Sequence, residues 1–168
     1  LLQEVSGKVG FAGGCRFENS SAMNVLRNKL NLIYFAACNT IYHGWFGNVI
    51  ASKVPFLQQA RYYFKKQNHL TQTRCNLFTQ LKMPNKQDLF AYGTHLEVKG
   101  GDSVRTAQIQ EIAQYVKNNL KNKNVWIAGD FNATRNSGTV EARENLGFKD
   151  CFTHICWKRR QFANWTGK

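Results

Sequence analysis

Five β-rich runs follow one another between residues 32 and 98: LIYFAA (32–37), NVIAS (48–52), ARYYF (60–64), NLFTQL (76–81) and DLFAYGTHLEV (88–98). Strands in succession, with no helical period between them, argue against a simple alternating βαβ chain, in which parallel neighbours need crossover helices. Helices bracket the runs. ENSSAMNVLRNKL (18–30) opens on Ser20 or Ser21 and sets Met23, Leu26 and Leu30 on one face. The clearest helix runs from about Ser103 to Leu120, with a stripe of Ile109, Ile112, Ala113, Val116 and Leu120. Asp102 or Ser103 is expected to cap its start, and Lys117 and Lys121 suit its C-terminal dipole. NVWIAG is a further strand, and a short helix is expected near 139–146. The pattern points to a sheet-rich α/β arrangement with helices on the outer faces.

Length and composition agree with one globular domain. The chain has 168 residues, 43% of them hydrophobic and 13% aromatic, enough to bury a sizeable core. No apolar run reaches the length needed to cross a bilayer as a helix. The first residues, LLQEVSGKVG, are already apolar and carry neither an initiator Met nor a signal-peptide pattern, which suggests a fragment.

The charge is one-sided: 23 Lys and Arg against 10 Asp and Glu, a net charge of +13. Such a field favours polyanions, whether nucleic acid, phosphoinositide or an acidic membrane face. The basic residues are scattered rather than gathered in a tail, so a solvated basic surface is the competing reading. Five cysteines, at 15, 38, 75, 151 and 156, are too few and too irregularly spaced to read as a disulfide scaffold. CFTHIC (151–156) lacks a second ligand pair at zinc spacing, so buried or free thiols are expected there. N-x-[ST] triplets at Asn19, Asn132 and Asn164 are short enough to arise by chance, and compartment and oligomeric state stay open.

Three segments carry the chemistry. In VWIAGDFNAT (125–134) an apolar strand stops on glycine, followed by Asp130 and Asn132. Extended geometry would set those two side chains on one side and turn Phe131 into the core. Gly129 would leave room for a ligand to approach the backbone. A carboxylate can orient or deprotonate a water, and a carboxamide can donate to a phosphoryl oxygen whose charge is rising. An Asp/Asn turn after a strand is the plain structural alternative. In LFAYGTHLEV, alternation sets Leu89, Ala91, Gly93 and His95 on one face, where the imidazole could donate to an anionic phosphate or act as an acid; a satisfied, partly buried histidine is the alternative. In LLQEV, Glu4 interrupts an apolar run. It is either a buried carboxylate needing a partner such as a divalent cation, or an exposed edge residue.

LLQEV, FGNVIASKVPF, YGTHLEV followed by VRTAQIQEI, WIAGDFNAT and SGTVEARENLGFKDCF occur in an order and rough spacing that resembles the endonuclease/exonuclease/phosphatase superfamily. The resemblance covers essentially all of residues 1–168, read as one domain. It implies a four-layer α-β-β-α sandwich of two packed mixed sheets, and phosphoester hydrolysis assisted by Mg²⁺ or Mn²⁺. By motif, Glu4 resembles the metal-ligating glutamate, Asp130 the residue that positions or activates the attacking water, and Asn132 its transition-state partner. His95 resembles the histidine that contacts the scissile phosphate, and Asn48 of GNVIAS a residue lining the same pocket. Nucleic acid is the favoured substrate on charge and aromatic content, ahead of a phospholipid or an inositol phosphate.

Two expected pieces are absent from the sequence. Family members carry an Asn on a strand upstream of the QE motif, and a late Asp with a Ser-Asp-His segment downstream. Residues 1–168 contain neither, and His154 lies too early in DCFTHIC to replace that histidine. The segment alone is therefore expected to be inactive or very weak and to expose unpaired sheet edges. A truncated, non-catalytic phosphate-binding relative is the rival reading.

Overall fold

The computed structural model describes residues 2–6, 21–39, 46–65 and 73–150. Cys15, Cys151, Cys156 and His154 lie outside them, as does the side chain of Glu4. The elements run β1 (Leu2–Ser6), α1 (Ser21–Leu30), β2 (Tyr34–Asn39), β3 (Phe46–Ser52), β4 (Phe56–Tyr63), β5 (Cys75–Lys82), β6 (Asp88–His95), α2 (Gly101–Asn119), β7 (Asn124–Asp130) and α3 (Gly138–Asn145). Each expected run is present, with its ends moved by a few residues. β4 starts four residues before the expected run, at Phe56, and in the last run the strand stops at His95, with residues 96–100 forming a loop.

The strands form two sheets. One has the order β1-β3-β2 and is antiparallel throughout the described residues. The other has the order β4-β5-β6-β7, antiparallel up to β6 and parallel between β6 and β7. Between the paired strands β6 and β7 a helix, α2, serves as the crossover. The sheets stack face to face, with β2 and β3 lying over β5 and β6. Ala36, Cys38, Ile50, Cys75 and Leu77 fill the space between them.

The outer face of the second sheet is aromatic. Phe78 and Phe90 stack at 5.9 Å and Tyr62 stacks on Tyr115 of α2 at 5.5 Å. Tyr92, Leu96, Ile109, Ile112 and Leu120 complete this cluster, and Val125, Ile127 and Phe131 pack against it. Burial in this layer pushes the phenols of Tyr62 and Tyr92 well above the ordinary tyrosine range, so both stay protonated. The alternation of β7 follows: Val125 and Ile127 face α2, while Trp126 is 63% exposed on the opposite face.

Leu30 of α1 is half-exposed, and α1 reaches the first sheet through Arg27, whose guanidinium lies 5.0 Å from the Phe35 ring centre. Neither Asp102 nor Ser103 caps α2, which starts after Gly100 in a left-handed conformation, with no side-chain cap. Although the five cysteines do not read as a disulfide scaffold, Cys38 and Cys75 form a disulfide that ties β2 of one sheet to β5 of the other across 37 residues of sequence. Spacing along the chain could not show this, because the pairing is set by the stacking of the two sheets. By loop-closure entropy, replacing both cysteines with alanine is expected to lower the unfolding free energy by about 2–4 kcal/mol, read from urea denaturation of the oxidised protein.

Candidate active site

The parallel pairing of β6 and β7 sets Thr94 beside Gly129 and His95 beside Asp130. Both strands therefore deliver their last residue to the same end of the sheet. His95 is buried, and its Nε2 lies 3.9 Å from Asp130 Oδ2. Asp130 is the solvent-facing member, its side chain 52% exposed. The pairing continues one step past the strand, where the Leu96 N–H donates to Asp130 O at 2.9 Å.

Asn132 joins them by a route that alternation does not describe. The strand ends at Asp130, and the backbone turns at once: Asn132 is left-handed at φ 47. Its N–H donates to Asp130 Oδ1 at 2.8 Å, closing an Asx-type turn, and its Nδ2 donates to Leu96 O at 2.8 Å. The turn and the site were weighed as alternatives in the sequence. The turn is present, and it is what gathers Asp130 and Asn132. Phe131, between them, packs into the aromatic cluster as expected.

Gly129 plays a different part from the one read for it. It sits at φ 148, and a Cβ there would fall 1.8 Å from Thr94 O. In the direction a Cβ would take, the close approach is by the neighbouring strand.

Asn48 is buried on β3, level with Cys38, and its Nδ2 donates to Cys75 O at 3.0 Å, bridging the two sheets beside the disulfide. Glu4 lies on β1 within the irregularity between the Leu2↔Val49 and Val5↔Gly47 pairings. That strand comes within 8 Å (Cα to Cα) of both β6 and β7, which puts Glu4 on a strand next to the two that carry His95 and Asp130. The structure thus brings His95, Asp130 and Asn132 into one cluster, with Glu4 on an adjoining strand and Asn48 engaged between the sheets. Among the described residues no group of three His, Cys, Asp or Glu side chains is placed to hold a metal.

A second set of polar residues supports the loops, and sequence reading did not find it. Asp102 accepts from Arg105 Nη2 at 2.7 Å, from the Gly138 N–H at 3.1 Å and from Thr139 Oγ1 at 3.0 Å. From the first turn of α2 it therefore serves the N-terminus of α3, whose own cap is Ser137. The Arg105 guanidinium beside it, then Thr139 and Gly138, hold its carboxyl below the usual range.

D. rerio TDP2, solved with a single-strand DNA product, matches at a TM-score of 0.56 with 22% identity, over 75% of this chain and 47% of that one. An endonuclease/exonuclease/phosphatase from Beutenbergia cavernae matches at 0.61 with 17% identity, over 86% and 42%. The Bacteroides thetaiotaomicron mannosyl-6-phosphatase matches at 0.57 with 13% identity, over 74% and 53%. No family sequence model and no curated protein matches the chain. The two stacked sheets with their helices are the endonuclease/exonuclease/phosphatase fold. The chain spans about half the length of the solved structures it resembles.

Proposed function

We propose that residues 1–168 supply the water-activating and phosphoryl-stabilising half of a phosphoester hydrolase. The observation that supports this most is the convergence of His95, Asp130 and Asn132 at the paired ends of β6 and β7. The Asp130 carboxylate is the exposed group. Its Oδ1 is steadied by the Asn132 N–H and its Oδ2 faces the imidazole, a setting in which it can orient and deprotonate a water. The Asn132 amide has two hydrogens, of which Leu96 O takes one. The other can donate to a phosphoryl oxygen as charge builds there. His95, held by burial, donates to the same phosphate. Asn48 is a pocket-lining residue in this reading.

The reading includes Mg²⁺ or Mn²⁺. Hard carboxylate oxygens suit such an ion, and Asp130, half-exposed, and Glu4, on the adjoining strand, are the residues that would hold it. When bound, it would polarise the phosphoryl group and offset its charge. For the substrate we favour nucleic acid. The net charge of +13 supports a polyanion, and one structural neighbour was solved with a DNA product. A phospholipid or inositol phosphate remains the second choice, and in either case no helix of the described residues is long and apolar enough to cross a membrane.

The test uses the natural polypeptide that carries these residues, assayed on single-stranded DNA, sphingomyelin and a phosphoinositide. Hydrolysis of DNA is expected with Mg²⁺ and its loss with EDTA, restored by adding the ion back. Metal-independent turnover would remove the cation from the reading. No turnover of any of the three substrates, with DNA binding retained, would favour the non-catalytic phosphate-binding relative.

A further inference from the structure

One peptide group ties helix α2 to the site. The carbonyl of Leu96 accepts from Asn132 Nδ2 at 2.8 Å, and the N–H of the same peptide, on Glu97, donates to Gln108 Oε1 at 2.9 Å. Two carboxamides, 24 residues apart in sequence, thus grip opposite edges of one planar unit. Gln108 and Glu97 are both fully buried, and so is Leu96. We infer that Gln108 is a positioning residue for Asn132, acting through the Leu96–Glu97 peptide.

The physical argument is short. A trans peptide fixes its N–H and C=O on opposite sides of one plane, so whatever sets the N–H also aims the carbonyl. Residues 96–100 are a loop that has just left β6, and the ladder to β7 reaches only the Leu96 N–H, one peptide short of the Leu96–Glu97 unit. Gln108 provides that orientation from a rigid helix, between the buried Ile109 and the rest of the α2 core face. In a water-free setting the alternative, an unmet Glu97 N–H and an unmet Gln108 oxygen, is costly, so a rotated peptide is disfavoured. The loop is held from its other side too: Arg105 Nη1 donates to Glu97 O at 3.4 Å and Val98 O at 3.2 Å, and Glu97 Oε1 accepts from the Lys99 N–H at 3.1 Å. Asn132 is thereby fixed with one amide hydrogen committed to protein and the other aimed elsewhere. This rests on the reading of Asn132 as the phosphoryl-stabilising amide, which requires that aim.

The test is side-chain amide NMR of the full chain, with the Asn132 resonance assigned by its loss in Asn132→Asp. Gln108→Met keeps length and burial but removes the acceptor. It is expected to speed hydrogen exchange at Asn132 Nδ2 about tenfold while the backbone amides of β6 and β7 keep their protection. Gln108→Glu, which retains an acceptor oxygen, is expected to bring the rate back toward that of the unmodified chain. Unchanged Asn132 exchange in a folded Gln108→Met protein would overturn the inference. So would an equal loss of protection throughout β6 and β7, which would make Gln108 only a stabilising residue. Should Gln108→Met fail to fold, the unmodified chain decides. Scalar couplings across the hydrogen bonds from Glu97 N to Gln108 Cδ, and from Asn132 Nδ2 to the Leu96 carbonyl carbon, are both expected, and the absence of either overturns the relay. None of these readouts needs turnover, so failure of the relay and failure of the hydrolase reading are separable. In an active polypeptide Gln108→Met is expected to lower kcat and leave KM nearly unchanged.

Discussion

Gly129→Ala is expected to lower the unfolding free energy by about 3 kcal/mol or more, a large fraction of the stability of an ordinary domain. Two effects act together at this position. The residue has φ 148, which an L side chain rarely adopts, and its Cβ would lie 1.8 Å from Thr94 O and 2.8 Å from Thr94 C. Neither contact can be relieved by turning a side chain, because both atoms are backbone. The paired strands would have to part at the step that precedes His95 and Asp130. Loss of stability should therefore come with loss of the site, seen as a changed His95 imidazole resonance even in the residual folded population. Urea denaturation gives the energy, with a lowered midpoint and an unchanged slope. A change below about 1 kcal/mol would mean that β6 and β7 do not approach as closely as described.

The residues that sequence reading placed well are those whose positions are set by local periods. The alternation of VWIAGD survives as the alternation of β7, because one face meets α2 and the other does not. Ile109, Ile112 and Ala113 are buried where a helical stripe put them. His95 and Asp130 lay in motifs legible by residue type, and the parallel direction of the strands that join them is what a crossover helix between neighbours allows.

What stayed hidden depends on contacts across the fold. The Cys38–Cys75 bond follows from the stacking of two sheets, which no local spacing encodes. Asp102 reads as a cap of its own helix because the signal for a cap is a short acidic residue near a helix start. That signal does not say which helix start is near in space, and the carboxylate serves α3 instead. Gln108 looks like a polar residue at the border of an apolar stripe, and only the loop arriving from β6 makes its burial favourable. Asn132 was singled out by its motif with an Asp/Asn turn named beside it, but residue types did not choose between extended and turned geometry, because both set its side chain near Asp130.

Asp130→Asn separates the chemistry of the site from its architecture. The carboxamide keeps an oxygen that can accept from the Asn132 N–H, so the turn that gathers the site survives. It lacks the negative charge and the basicity that the proposed water activation needs. In the natural polypeptide turnover of a phosphoester is therefore expected to fall by about 10³-fold or more, with KM little changed and stability within about 0.5 kcal/mol of the parent. Asp130→Ala should show the same loss of turnover and, in addition, a stability cost of about 1 kcal/mol for the broken turn. The difference between the two variants in stability, set against their likeness in rate, is the informative result. It would assign the carboxylate's Oδ1 to structure and its charge to catalysis. Activity near that of the parent in Asp130→Asn would remove Asp130 from the role of base and shift that role to another group. Equal and large losses of stability in both variants would show that the exposed carboxylate holds the fold together and does not act on a substrate.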